Sequence, residues 1–82
     1  MNVTVLTPDK ELYKGTAISV KVPGSDGQFE VLNNHAPIVS SLQAGEVRIL
    51  TGTEKVTFRI QSGFIEVLRN EVAVLVQGVV EA

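Results

Sequence analysis

Residues 55–61 read Lys-Val-Thr-Phe-Arg-Ile-Gln, with Val56, Phe58 and Ile60 at every even position and polar side chains at every odd one. Successive side chains of a β-strand point to opposite faces, so this stretch puts one face in a core and the other in water. The same alternation recurs at Val3 and Val5, at Ile18, Val20 and Val22, at Phe29 and Val31, at Val47 and Ile49, and at Val72, Val74 and Val76. The residues are mostly β-branched, as strands prefer. No window of eleven or more residues carries an apolar stripe of helical period, and the single helical turn expected is near Ala36 to Leu42.

Between the strand-like runs stand Pro8, Gly15, Pro23-Gly24, Asp26-Gly27, Asn33-Asn34, Pro37, Gly45, Gly52, Gly63 and Asn70. That is the turn spacing of an all-β chain. Asp26-Gly27 predicts a two-residue type I′ hairpin turn, which requires positive φ at both positions. Gly52-Thr53 and Arg69-Asn70 predict two more hairpin tips, and Gly63 a bulge or a corner. One sheet alone would leave an apolar face bare, so the pattern predicts two sheets packed face to face, with about eight to ten short strands in a single domain over 1–82.

The 82 residues include no cysteine, so apolar packing alone must hold the domain together. With 44% hydrophobic and 20% charged residues the chain is globular in composition. Its net charge of -2 comes from interspersed signs, with no basic stripe to neutralise phosphates, which argues against a nucleic-acid partner. No apolar run approaches the roughly 20 residues that a membrane-spanning helix needs. The opening MNVTVLTPDK has neither the basic start nor the apolar core of a signal peptide.

His35 is the only histidine, in Asn33-Asn34-His35-Ala36-Pro37. A catalytic triad would need a nucleophile and an orienting carboxylate beside it; Ser40 and Ser41 are near in sequence, but no nucleophile elbow or oxyanion loop accompanies them. One imidazole without local ligand spacing does not make a zinc site. The glycines of VPGSDGQF lack the lysine and helix of a phosphate loop, and a hairpin accounts for them. What remains is a rigid scaffold whose loops bind a partner. Read from the residues alone, NNHAPIV serves equally well as a contact surface or as plain turn geometry.

Four blocks, VLTPDKELYKG at 5–15, VPGSDGQFEVLNNHAP at 22–37, LQAGEVRI at 42–49 and SGFIEVLRNEVAVL at 62–75, resemble in order and spacing the N-terminal β-sandwich of the epsilon subunit of F-type ATP synthases, called delta in mitochondria. The resemblance implies a ten-stranded sandwich and a non-catalytic rotor subunit at the foot of the central stalk. Its implied partners are the gamma subunit and the polar loops of the c-ring, with no cofactor, and its implied location is the cytoplasmic face of the bacterial plasma membrane. By position, Ser25, Asp26, Gly27, Gln28 and Glu30 match the loop that meets the c-ring. His35, Ala36, Pro37, Ile38, Ser41 and Leu42 match the region beside gamma. Many relatives carry a carboxylate where this chain has Gln28, which shifts the expected ring contact towards Asp26 and Glu30. Apolar groups are expected to be exposed on the gamma side.

Many bacterial relatives continue into an alanine- and charge-rich helical hairpin, where this sequence stops at QGVVEA, as in short members that lack that segment. The competing class is a free-standing adaptor or lipoyl-type carrier, but the tip Ser25-Asp26-Gly27 offers no lysine to modify. Because some relatives bind ATP through the helical hairpin, titration of this 82-residue chain with micromolar ATP is expected to give no saturable calorimetric signal.

Overall fold

The computed structural model describes residues 1–81. Among them are ten strands and no helix: β1 (Asn2–Leu6), β2 (Glu11–Thr16), β3 (Ser19–Gly24), β4 (Gly27–Leu32), β5 (Ile38–Leu42), β6 (Gly45–Leu50), β7 (Lys55–Ile60), β8 (Ser62–Leu68), β9 (Glu71–Gln77) and β10 (Val80–Glu81). Five of them form a first sheet in the order β4-β3-β6-β7-β10, and five a second in the order β5-β8-β9-β1-β2. All neighbours are antiparallel except β1 and β9, which run parallel from Asn2 beside Glu71 to Leu6 beside Leu75.

Alternation decides which side of each strand is wet. In β9, Val72, Val74 and Val76 are buried while Glu71, Leu75 and Gln77 are exposed; in β7, Phe58 and Ile60 are buried and Lys55 and Arg59 exposed. The inward residues of both sheets, among them Val3, Val5, Val20, Val22, Val31, Val47, Ile49, Phe58, Ile65, Val67 and Val74, form one apolar cluster. Sheets packed about 10 Å apart, with side chains outside them, account for a shortest dimension of 20 Å.

The sheets are nevertheless one hydrogen-bonded surface. β3 lies beside β6 only over Ser19–Lys21, and its far end, Gly24, pairs with Leu42 of β5. The right-handed twist of a sheet splays neighbouring strands apart along their length, which lets one strand border two sheets.

The expected class, an all-β sandwich, is the one observed. Arg69 and Asn70, at φ 51° and 64°, form the β8–β9 turn, and Gly52-Thr53 is the tip of the loop between β6 and β7. There the Thr51 hydroxyl accepts the amides of Thr53 at 3.2 Å and Glu54 at 2.9 Å. Two expectations need correction here. The segment 36–42 is not helical: it contains β5, whose residues pair with Gly63–Val67 of β8. Once Ile38 and Leu42 face inward, sheet pairing satisfies the backbone that a lone helical turn would leave half bonded. Ile18 does not continue the inward row of Val20 and Val22 but is 53% exposed. It belongs to the crossing from β2 to β3, where Ala17 takes the buried place and bonds to Leu50 O and Met1 O reset the phase. At Gly63, where a bulge or a corner is expected, the structure has the corner. The glycine pairs regularly with Val76, one residue into β8, just after Gln61 carries the chain between sheets.

A Cβ at Gly63 would stand 2.3 Å from Leu75 O, whereas one at Gly52 would meet nothing within 4 Å. Gly63→Ala is therefore expected to destabilise the domain by about 1–3 kcal/mol through backbone displacement. Gly52→Ala should leave stability within about 1 kcal/mol of the parent or raise it. Paired urea melts check both, and equal midpoints for the two variants would contradict the geometry.

Candidate interaction surface

β4 carries the chain away from the Ser25-Asp26 tip, and β5 carries it back. The Ser25–Gln28 tip thus lies one strand length, about 17 Å for five residues, from His35, Ala36 and Pro37, while Ser41 and Leu42, singled out with them in the sequence, return to the hairpin end. At the first end Ser25 and Asp26 connect Gly24 to Gly27, which pair with each other. The turn differs from the expected type I′: positive φ occurs only at Gly27, at 130°, and Asp26 keeps an ordinary backbone. Glycine takes that conformation without a Cβ clash, so the strain is confined to one residue. Ser25, Asp26, Gln28 and Glu30 are exposed, with Glu30 opposite Lys21 of β3.

At the other end, the loop Asn33–Pro37 is tied to the β8–β9 turn. Asn34, at φ 64°, donates its amide to Asn70 Oδ1 at 2.8 Å, and the His35 amide donates to Leu32 O at 3.2 Å. The His35 ring is half-buried and Nδ1 donates to Ala36 O at 2.6 Å. Ser40 and Ser41 donate their hydroxyl protons to Ser41 O and Ser25 Oγ, so neither is a nucleophile poised on the imidazole. Among the described residues no group of three or more His, Cys, Asp or Glu side chains could hold a metal ion, and no helix is long and apolar enough to cross a membrane.

Of the residues matched to the gamma side, Ala36, Pro37 and Ser41 are exposed, Ile38 is half-buried against the core and Leu42 belongs to the core. The exposed apolar side chains lie elsewhere, on the outer face of the second sheet. Val39 is 71% exposed, Phe64 58% and Leu75 48%. Register places Ser41, Phe64, Leu75 and Leu6 in one row across β5, β8, β9 and β1, with Val39 one step along β5, opposite Glu66. A groove of about 330 Å³ runs over this row, lined by Leu6, Pro8, Ser41, Phe64, Leu75 and Gln77 among others. Four strands span about 15 Å, the breadth of a helix or a strand pair laid across them. The signal was legible in FIEVL, where Phe64 shares the outward phase with Glu66 although it is aromatic.

An all-β scaffold with an acidic hairpin and a neighbouring apolar groove has the features of an interaction module, because contiguous exposed apolar rows mark partner surfaces. The family model for the ATP synthase delta/epsilon chain β-sandwich domain matches residues 1–82, and the chain belongs to that family. It is 45% identical over 75 residues to the ATP synthase epsilon chain of Leptospira borgpetersenii serovar Hardjo-bovis, a match covering 92% of this chain and 59% of that protein. The chain thus spans little more than half the length of that relative. It is 35% identical to the epsilon chain of Caulobacter vibrioides, over 100% of this chain and 95% of that protein. Its fold resembles a chain of the Tetrahymena thermophila mitochondrial ATP synthase central stalk and c-ring, with a TM-score of 0.85 and 19% identity over 98% of this chain and 65% of that one. A chain of the Euglena gracilis mitochondrial ATP synthase gives 0.88 and 21%, covering 96% of this chain and 51% of that one.

The Asn34–Asn70 bond yields a local test. Asn70→Gly keeps a residue suited to the left-handed turn but removes the acceptor, so Asn34 amide exchange is expected to rise about fivefold, as befits a bond worth about 1 kcal/mol. Exchange within β8 and β9 should stay unchanged, as nuclear magnetic resonance would establish.

Proposed function

We propose that this chain is the epsilon-type subunit of the central stalk of an F-type ATP synthase. It catalyses nothing itself and takes no cofactor. Its role is to join the gamma subunit to the c-ring, so that rotation driven by proton flow reaches the catalytic head as one motion. In this reading it is peripheral to the cytoplasmic face of a bacterial plasma membrane, held there through the ring.

The observation that carries the reading is the outward row of exposed Ser41, Phe64 and Leu75 and half-buried Leu6, with Val39 beside it, on a member of the delta/epsilon family. Gamma covers that row and reaches His35, Ala36 and Pro37 at the far end of β5. Leu42 and Ile38 support the contact from the core side, which suits their burial. The hairpin Ser25, Asp26, Gly27 and Gln28, with Glu30, faces the ring loops, and its acidic groups favour a partner loop bearing lysine or arginine. A sandwich packed from both sheets yields little under load, which fits a part that must pass torque between two neighbours.

Isothermal titration calorimetry with recombinant gamma subunit of the same organism tests the assignment. A one-to-one complex is expected. Phe64→Ser or Leu75→Ser should each weaken it about 30-fold, near the 2 kcal/mol of an interface anchor, without loss of the β circular-dichroism spectrum. His35→Glu or Pro37→Glu should weaken it less. Absence of a complex between two folded proteins would return the chain to the adaptor class.

A further inference from the structure

One side chain belongs to both surfaces. Ser41 lines the groove and pairs with Phe64, while its hydroxyl donates to Ser25 Oγ at 2.8 Å, next to Asp26 at the hairpin tip. The backbone reinforces the link: the Ser25 amide donates to Ser41 O at 3.0 Å and the Gln43 amide to Pro23 O at 2.9 Å, on either side of the Gly24–Leu42 pairing. Hairpin tips of exposed polar residues ordinarily open easily, because few apolar contacts hold them. This one is bound sideways to the neighbouring sheet.

We propose that Ser41 is a positioning residue that couples the hairpin to the groove, so that a protein seated in the groove stiffens the Ser25–Gln28 tip. The proposal rests on the functional reading above for the identity of that protein, gamma. The path is short: Ser41 sits in the row that gamma would cover, and immobilising its side chain immobilises its partner Ser25. Removing the Ser25 hydroxyl instead leaves the row that gamma would cover untouched, so seating and transmission become separable.

The test is amide hydrogen exchange, first on the free domain. In Ser41→Ala, and equally in Ser25→Ala, exchange at Ser25 to Gln28 is expected to rise about fivefold, with the double variant no worse than either single one. Ser41→Thr, which keeps a hydroxyl, should restore the parent rate, and β8 and β9 should exchange as before. The second measurement adds gamma. In the parent, binding should slow exchange at the tip about fivefold, at the low end of ordinary site-to-site coupling. Ser25→Ala, which removes the partner hydroxyl from outside the row that gamma would cover, should bind gamma within about threefold of the parent and show no such slowing.

An unchanged tip in free Ser41→Ala, or the same gamma-induced slowing in Ser25→Ala as in the parent, overturns the coupling. If the parent does not bind gamma, the functional reading fails, and transmission to gamma fails with it. That failure is distinguishable, because the free-domain rates still report whether Ser41 holds the hairpin.

Discussion

The hairpin end of the domain depends on a single close approach, Gly24 of β3 against Leu42 of β5, with a backbone hydrogen bond on each side. Without it the two sheets would meet only through side chains, and the Ser25-Asp26 tip would project freely. With it, β3 borders β4 along its whole length on one edge and, on the other, first β6 and then β5. A twisted sheet permits this division, since strands that start adjacent diverge with distance. The corner brings an exposed acidic hairpin beside an apolar row from the other sheet. Two surfaces of unlike chemistry thereby lie within one hydrogen-bonded frame.

The core beneath that frame is built chiefly from valine and isoleucine. Val5, Val20, Val22, Val31, Val47, Ile49, Ile65 and Val74 have no accessible surface, and each is nearly fixed at χ1 by its branched Cβ. Ordering such side chains costs little rotamer entropy, a useful property in a small chain with no disulfide to assist it. Stiffness and stability have the same origin here. The same outward phase that exposes Glu66 and Glu71 to water also exposes Phe64 and Leu75, so an apolar outer row is added without altering a core position.

Much of this is legible in the residues. Inward and outward phases at Val3-Val5, Val72-Val76 and Phe58-Ile60 follow from alternation, because side-chain direction in a strand is a local property of the backbone. The turn at Arg69-Asn70 is legible for the same reason. Ile18 and the segment 36–42 depart from the pattern because sheet crossings reset the phase, and one apolar residue beside a turn does not reveal which side of the crossing it occupies. Asp26 departs from the expected turn because Gly27 alone supplies the positive φ. The blocks around Asn33-Asn34-His35-Ala36-Pro37 point to the family, yet not to the exposed apolar row on the outer face of the second sheet.

By itself, then, the order of residues determined the strand class, the positions of most turns, the valine core and the family, all of which rest on interactions between near neighbours along the chain or on its pattern. Only the tertiary structure decided that Ser41 lies against Ser25, that Leu6, Phe64 and Leu75 make one row, and that Leu42 lies inside while Val39 lies outside. Those facts depend on the register between strands far apart in sequence. Register is set by the joint packing of both sheets, a property that no single segment contains.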